Sequence, residues 1–245
     1  MNDKKILIAL TPRDAGSNAL KFAEKYIQGD NLDVTLFIVS EEDASEIHRD
    51  DLIDRFYQLC SIKGINGRVK EILPDGPDTL GSHLLFSDLL IVETHGLKIL
   101  AKTDHPNRSS CPVLLVPHDF DQLGNILLVI DGSDVSRDSI KQFFQIFSQF
   151  SRDMDVTLLW INAEEGSEMA SRDELMLVEY IRQHCKNLGI LKVQAPLTAK
   201  LMRPILYNHQ TMVVGTKDFL YALGKTCSIF NPLEDLQASM FLSVK

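Results

Sequence analysis

Two short stretches of this 245-residue chain bring together residue types that could do chemistry. One is Asp131-Gly132-Ser133-Asp134, a carboxylate and a hydroxyl at a tight turn straight after the apolar run Ile126-Leu127-Leu128-Val129-Ile130. The other is Gly224-Lys225-Thr226, which offers backbone N–H, an ammonium and a hydroxyl of the kind that hold phosphate. A serine nucleophile on a strand-to-helix elbow needs Gly-x-Ser-x-Gly, which the first stretch lacks. Its simpler reading is a helix cap, with Ser133, Asp134 or Ser136 accepting backbone N–H bonds. A phosphate loop of the form Gly-x4-Gly-Lys-Ser/Thr would need glycine at position 219, which is Phe219. Gly224 therefore reads more simply as a glycine closing a helix before a polar loop.

Metal and thiol chemistry find less support. The histidines are His48, His83, His95, His105, His118, His184 and His209, and the densest group is His105, Cys111 and His118. Its spacing fits no usual zinc pattern, so no metal site is expected. Cys60, Cys111, Cys185 and Cys227 are scattered without a Cys-x-x-Cys pair and read as reduced thiols of a cytoplasmic protein. The acidic runs Glu41-Glu42-Asp43 and Glu164-Glu165 read as solvated loops.

The elements that must position these residues occur twice. Ile6-Leu7-Ile8-Ala9-Leu10 returns 120 residues later as Ile126-Leu127-Leu128-Val129-Ile130. Wholly apolar runs of this length suit parallel strands buried on both faces. Each is followed by a turn and then helical periodicity: Ala19, Ala23, Tyr26 and Ile27 in one half, Ile140, Phe143, Phe144, Phe147 and Phe150 in the other. The phenylalanine stripe reads as core rather than as a partner surface. Second strands follow, Val34-Thr35-Leu36-Phe37-Ile38-Val39 and Val156-Thr157-Leu158-Leu159-Trp160-Ile161. Next come a helix ended by Gly64 or by Gly189, a weak third strand, a short helix, and a strong fourth strand. The fourth strands are Leu89-Leu90-Ile91-Val92-Glu93-Thr94 and Thr211-Met212-Val213-Val214-Gly215-Thr216. The halves close on Pro112-Val113-Leu114-Leu115-Val116 and Ser239-Met240-Phe241-Leu242-Ser243-Val244. Alternation of this kind predicts an α/β chain of two doubly wound, Rossmann-like parallel-sheet domains with right-handed crossovers. The expected domains are residues 1–118 and 124–245, with 119–123 as linker. Duplication, rather than coincidence, explains five strand signals repeated in order.

Bulk properties narrow the function classes. The net charge is -9 and the pI about 5.2, which argues against nucleic-acid or anionic-membrane partners. No apolar stretch reaches the ~18 residues of a membrane span, and no signal peptide is visible.

The stretches NILLVIDGSD, SDLLIVETHG and CPVLLVP, with Val213-Val214-Gly215-Thr216 as a weaker echo, resemble the universal stress protein family in its tandem two-domain form. The resemblance spans the chain in outline, and the middle of each half matches in pattern only. It implies flavodoxin-like domains with strand order 3-2-1-4-5, paired through antiparallel fifth strands as an internal pseudo-dimer. Fusing two copies would cover two exposed apolar edges within one chain. A homodimer of the whole chain and an unidentified protein partner are further expectations. His95 occupies the family's Thr-His-Gly position, as a cleft residue without a catalytic role.

In ATP-binding members of that family an Asp follows strand one, and Gly-x2-Gly-x9-Gly-Ser/Thr follows strand four. Ligands of such sheets sit beyond the carboxyl ends of the strands, where strand order reverses. The N-terminal half departs from the pattern: Thr11 stands for the Asp, Glu93 for the first glycine, and Pro106 for the third. The C-terminal half keeps Asp131 and Gly215, but has Asp218 at the second glycine and Ser228 at the third. Two functions remain open. One is a non-enzymatic stress-response regulatory or interaction protein with degenerate nucleotide sites and no cofactor. The other is an ATP-Mg-binding switch, with slow hydrolysis, in the C-terminal half. That switch would place Asp131 at base or ribose beside Gly132 and Ser133, and the Ile161 backbone beside adenine. Gly215, Thr216, Lys217, Gly224, Lys225 and Thr226 would hold phosphates.

Overall fold

The computed structural model describes residues 4–12, 17–29, 31–39, 46–72, 79–94, 111–161, 172–195, 197–208, 210–216, 218–219 and 237–243. These fall into two units, Met1–Asp121 and Gln122–Ser243.

The first unit runs β1 (Lys4–Leu10), α1 (Asn18–Tyr26), β2 (Leu32–Val39), α2 (Glu46–Lys63), β3 (Asn66–Ile72), α3 (Thr79–Leu84), β4 (Leu89–Glu93) and β5 (Val113–Val116). Its strands lie in the order β3-β2-β1-β4-β5, and each neighbouring pair is parallel. The apolar run of β1 is central because helices cover both sheet faces, and Ile6 to Leu10 are at most 2% exposed. At the edge, β3 turns Arg68 and Lys70 to solvent, which blunts an otherwise open strand. Gly64, at φ +65°, makes the turn out of α2 that the sequence reading assigned to it. Gly67 serves packing instead: a Cβ there would run into the Cys60 sulfur.

The second unit repeats the plan: β6 (Asn125–Ile130), α4 (Asp134–Ile146), β7 (Asp155–Ile161), α5 (Arg172–Arg182), β8 (Asn187–Val193), α6 (Ala199–Leu206), β9 (Thr211–Thr216) and β10 (Ser239–Ser243). The order is β8-β7-β6-β9-β10, again parallel between neighbours. Register repeats as well, since Ile8 pairs with Leu36 and Leu128 with Leu158. Each unit is thus the 3-2-1-4-5 doubly wound sheet that the family resemblance implies. Phe143, Phe144 and Phe147 on or just past α4 are at most 1% exposed, and the Phe143 ring meets Phe241 of β10 at 5.5 Å.

Two local expectations give way to tertiary contacts. Phe150 is not on the helix of Phe143: α4 ends at Ile146, and Phe150 opens a separate 3-10 turn, Phe150–Asp153. The turn still lays its ring 5.3 Å from that of Phe147. Gly189 does not end α5, which stops at Arg182, but lies inside β8. There the Lys186 amide donates to the Met154 carbonyl (3.0 Å), and the Asn187 side chain donates to the Asp155 carboxylate (2.7 Å). These bonds bring the chain into register with β7 before the glycine is reached.

Candidate functional site

The switch point of each unit lies at the carboxyl ends of its first and fourth strands. In the first unit β4 delivers Glu93 there, and its side chain is 3% exposed. One carboxylate oxygen accepts from the Asn18 amide (2.7 Å) and the Ala19 amide (3.2 Å). The Ser17 hydroxyl caps the next amide, that of Leu20 (3.2 Å), and the Lys21 amide reaches the Ser17 carbonyl (3.2 Å). Every donor of the first helical turn is therefore engaged. A helix N-terminus attracts anions through its unpaired N–H groups and its dipole. Here the anion is supplied by the chain itself. The Asn18 side chain fastens the same turn, donating to the His118 carbonyl and accepting from Lys21 Nζ.

The equivalent position in the second unit is Gly215, and the chemistry differs. The Gly215 carbonyl accepts from the Ser139 hydroxyl (2.9 Å). Phe219 lies against the glycine: a Cβ at 215 would stand 3.1 Å from its ring. The Phe219 amide in turn donates to the Thr216 hydroxyl (3.2 Å). Gly215 is therefore explained by the ring beside it, independently of any ligand.

Just past the neighbouring strand β6, Gly132 takes φ +85°, a conformation glycine adopts without strain. The Ser133 hydroxyl donates to Asp131 Oδ1 (2.6 Å) and accepts from the Ser136 amide (3.2 Å), capping α4 as the sequence predicts. The Ser133 amide adds a second bond to the same Asp131 oxygen (3.0 Å). Burial pushes the Asp131 carboxyl up, but the hydrogen bonds from the Ser133 hydroxyl and amide and from Ser136 outweigh it and hold the group below its ordinary 3.8. The Ser133 hydroxyl thus serves as a helix cap and donates to a carboxylate held below its ordinary value. The Asp134 and Val135 amides at the start of α4 meet no acceptor among the described residues.

Of the residues assigned to a C-terminal nucleotide site, Asp131, Gly132 and Ser133 share one turn, and Gly215 and Thr216 close the neighbouring strand. Ile161 is the last residue of β7, 8% exposed and paired with Val193. Lys217, Gly224, Lys225 and Thr226 lie outside the described residues, as do His95 and His105. Among the described residues no three His, Cys, Asp or Glu side chains are grouped to hold a metal ion. Cys111, two residues before β5, is pushed up to about 12 by burial and the nearby Asp88 charge, so it is not a reactive thiolate. Sequence reasoning missed the Ser139–Gly215 bond and the capping role of Glu93. The available signal for the latter was a carboxylate at the end of a run that is otherwise apolar.

No protein-family model and no curated protein sequence matches the chain. Solved structures do. A universal stress protein from Archaeoglobus fulgidus DSM 4304 superposes with a TM-score of 0.56 at 10% identity, covering 99% of both chains. A putative universal stress protein from Pseudomonas aeruginosa UCBPP-PA14 gives 0.53 at 14% identity, over 98% of this chain and 93% of that one. A functionally unknown protein from Pseudomonas aeruginosa PAO1 gives 0.50 at 15%, over 98% and 92%. Near-complete coverage in both directions means that both units are matched. At these identities the likeness establishes the fold, which is that of universal stress proteins.

Proposed function

We propose that this chain, with its universal stress protein fold, is a non-enzymatic, cytoplasmic stress-response regulatory or interaction protein whose nucleotide sites have degenerated. The observation that carries the reading is the buried Glu93 carboxylate on the Asn18 and Ala19 amides. A nucleotide phosphate at that point would have to displace one anion from its donors or lie beside it. Like charges so placed cost several kcal/mol. On the second unit's side, the Phe219 ring against Gly215 supports the same view. A protein built this way acts through what it binds: a second copy of itself and an unidentified protein partner.

One contrast favours the second reading, an ATP-Mg switch confined to residues 124–245. Where the first unit has Glu93 the second has glycine, and the first amides of α4 meet no acceptor among the described residues. Asp131, Gly132, Ser133, Ile161, Gly215, Thr216, Lys217, Gly224, Lys225 and Thr226 would then form the site.

Calorimetric titration of the purified chain with ATP-Mg, joined to chromatography of nucleotide released on denaturation, separates the two. Degenerate sites give no bound nucleotide and no heat at millimolar ATP. One nucleotide per chain, lost in Asp131→Ala, replaces that reading with the switch. Two nucleotides per chain overturn both.

A further inference from the structure

The outer face of α4 carries a row that neither functional reading uses. Asp134, Arg137, Asp138 and Lys141 follow i, i+3, i+4, i+7 spacing and so share one face of the helix. Within the chain Arg137 pairs with Asp134 (3.0 Å) and Lys141 with Asp138 (3.7 Å). The row borders a groove of about 620 Å³ whose other wall is Met176, Leu177 and Tyr180 of α5. Beside it α5 leaves Leu175 and Met176 58% and 59% exposed, a high figure for two adjacent apolar side chains. The face therefore offers an apolar ridge next to an ordered line of charges.

The order of those charges identifies the occupant. Read along α4 they run minus, plus, minus, plus; read backwards they are the complement. Set two such helices antiparallel about a two-fold axis between positions 137 and 138. Asp134 of one then faces Lys141 of the other, and Arg137 faces Asp138, at both ends. The row spans about 10 Å, at 1.5 Å rise per residue, so all four pairs fall within two turns. A surface that is its own complement under a two-fold is what an isologous dimer requires. Net charge points the same way. The chain carries -9 overall, so two copies repel, whereas this row sums to zero and can be approached. Among its described residues the first unit has no equivalent, because α1 begins one turn later: Ser17 and Asn18 stand where Arg137 and Asp138 would be, both buried and spent on capping.

We propose that the α4–α5 face of the second unit is a two-fold interface with a second copy of this chain, α4 lying antiparallel to α4, with Leu175 and Met176 buried beside it. The proposal rests on the homodimer part of the functional reading and gives that dimer its surface.

The test is sedimentation of the full-length chain over a range of concentrations, with the single reversals Asp134→Lys and Lys141→Asp measured alone and mixed. All these positions are solvent-facing, and thermal melts check that the variants are folded. The wild-type chain is expected to dimerise, more weakly as salt is raised. Each reversal alone sets like charges opposite at both ends and weakens the dimer by about tenfold or more. Mixing the two variants sets opposite charges at both ends again and brings the dimer back to within about threefold of wild type; an effect confined to one chain would not show this recovery. A chain that stays monomeric overturns both the homodimer and this surface. A dimer that ignores the reversals, or a mixture that fails to recover, overturns the surface and leaves the homodimer standing elsewhere.

Discussion

Glu93 shows how one side chain can decide the character of a site. Its carboxylate serves two buried amides, and a charged acceptor bonds more strongly than a neutral one. Truncation leaves those amides without a partner, at about 1–3 kcal/mol each. Glu93→Ala should therefore lose about 2–6 kcal/mol in urea unfolding. Glu93→Gln, which keeps an acceptor oxygen, should lose clearly less. Equal losses in the two variants would show that the hydrogen bonds are not what Glu93 contributes. Asp131 works at the same scale but in a half-open turn, where its bonds are internal to the cap. Of the two, Glu93 was only partly readable from sequence. Its type and position were plain, and its conflict with phosphate followed. That it would turn inward to cap α1, 75 residues away in sequence, depends on the fold.

Elements show the same division. The ε-ammonium of Lys70 on β3 lies 2.8 Å from the Nε2 of His83 on α3, whose ring packs on Phe37 of β2 at 5.2 Å. An ammonium can only donate, so Nε2 accepts and the ring proton sits on Nδ1. Burial, then the charges of Lys70, Arg68 and Lys5, hold the imidazole below its ordinary 6.5. Below 6.5 the unfolded chain takes up a proton that the folded one refuses. This contribution to stability is thus complete above 6.5 and fades as pH falls through the window down to the lowered value. Lys70→Met should move the His83 titration, followed by NMR of its ring protons, part of the way back toward 6.5, since burial remains. A titration that stays put would remove the lysine as a cause. Strand order followed from the family resemblance, and strand type within each unit was legible in apolar runs and their repetition. The end of α5 was not, because Gly189 carries the same local signal as Gly64, and only pairing with β7 assigns it to a strand.

At the scale of the whole molecule, the segment between the units is anchored. The division falls after Asp121, yet Phe120 just before it is 3% exposed, with ring centroids 5.4 Å from Phe22 and 6.1 Å from Tyr26 of α1. The Asn18–His118 bond and the bond from Lys25 to the Asp121 carbonyl (2.6 Å) hold the same stretch against that helix. Phe120→Ala should lower stability by about 3–5 kcal/mol, the cost of emptying a buried aromatic site. It should also speed proteolysis between residues 117 and 124 under native conditions. A variant as stable and as protease-resistant as wild type would show that the packing is incidental. A turn-rich, charged stretch reads as linker in the sequence, since nothing local tells that one phenylalanine in it is buried.

The family resemblance implied the strand order and the departure of Thr11, Glu93 and Asp218 from a phosphate-binding pattern; what the sequence by itself determined is the repetition of strand and helix signals, a helix cap among Ser133, Asp134 and Ser136, and the turn at Gly64. These are short-range properties, written in apolar period and turn chemistry, so they survive without coordinates. The tertiary structure alone decided that Glu93 fills the anion position of α1, that Phe219 accounts for Gly215, and that four charges on α4 border an apolar groove. The first and last of these join residues far apart along the chain, and the second depends on how the turn after β9 folds back; the free energy of such contacts rests on burial and geometry that no local pattern encodes.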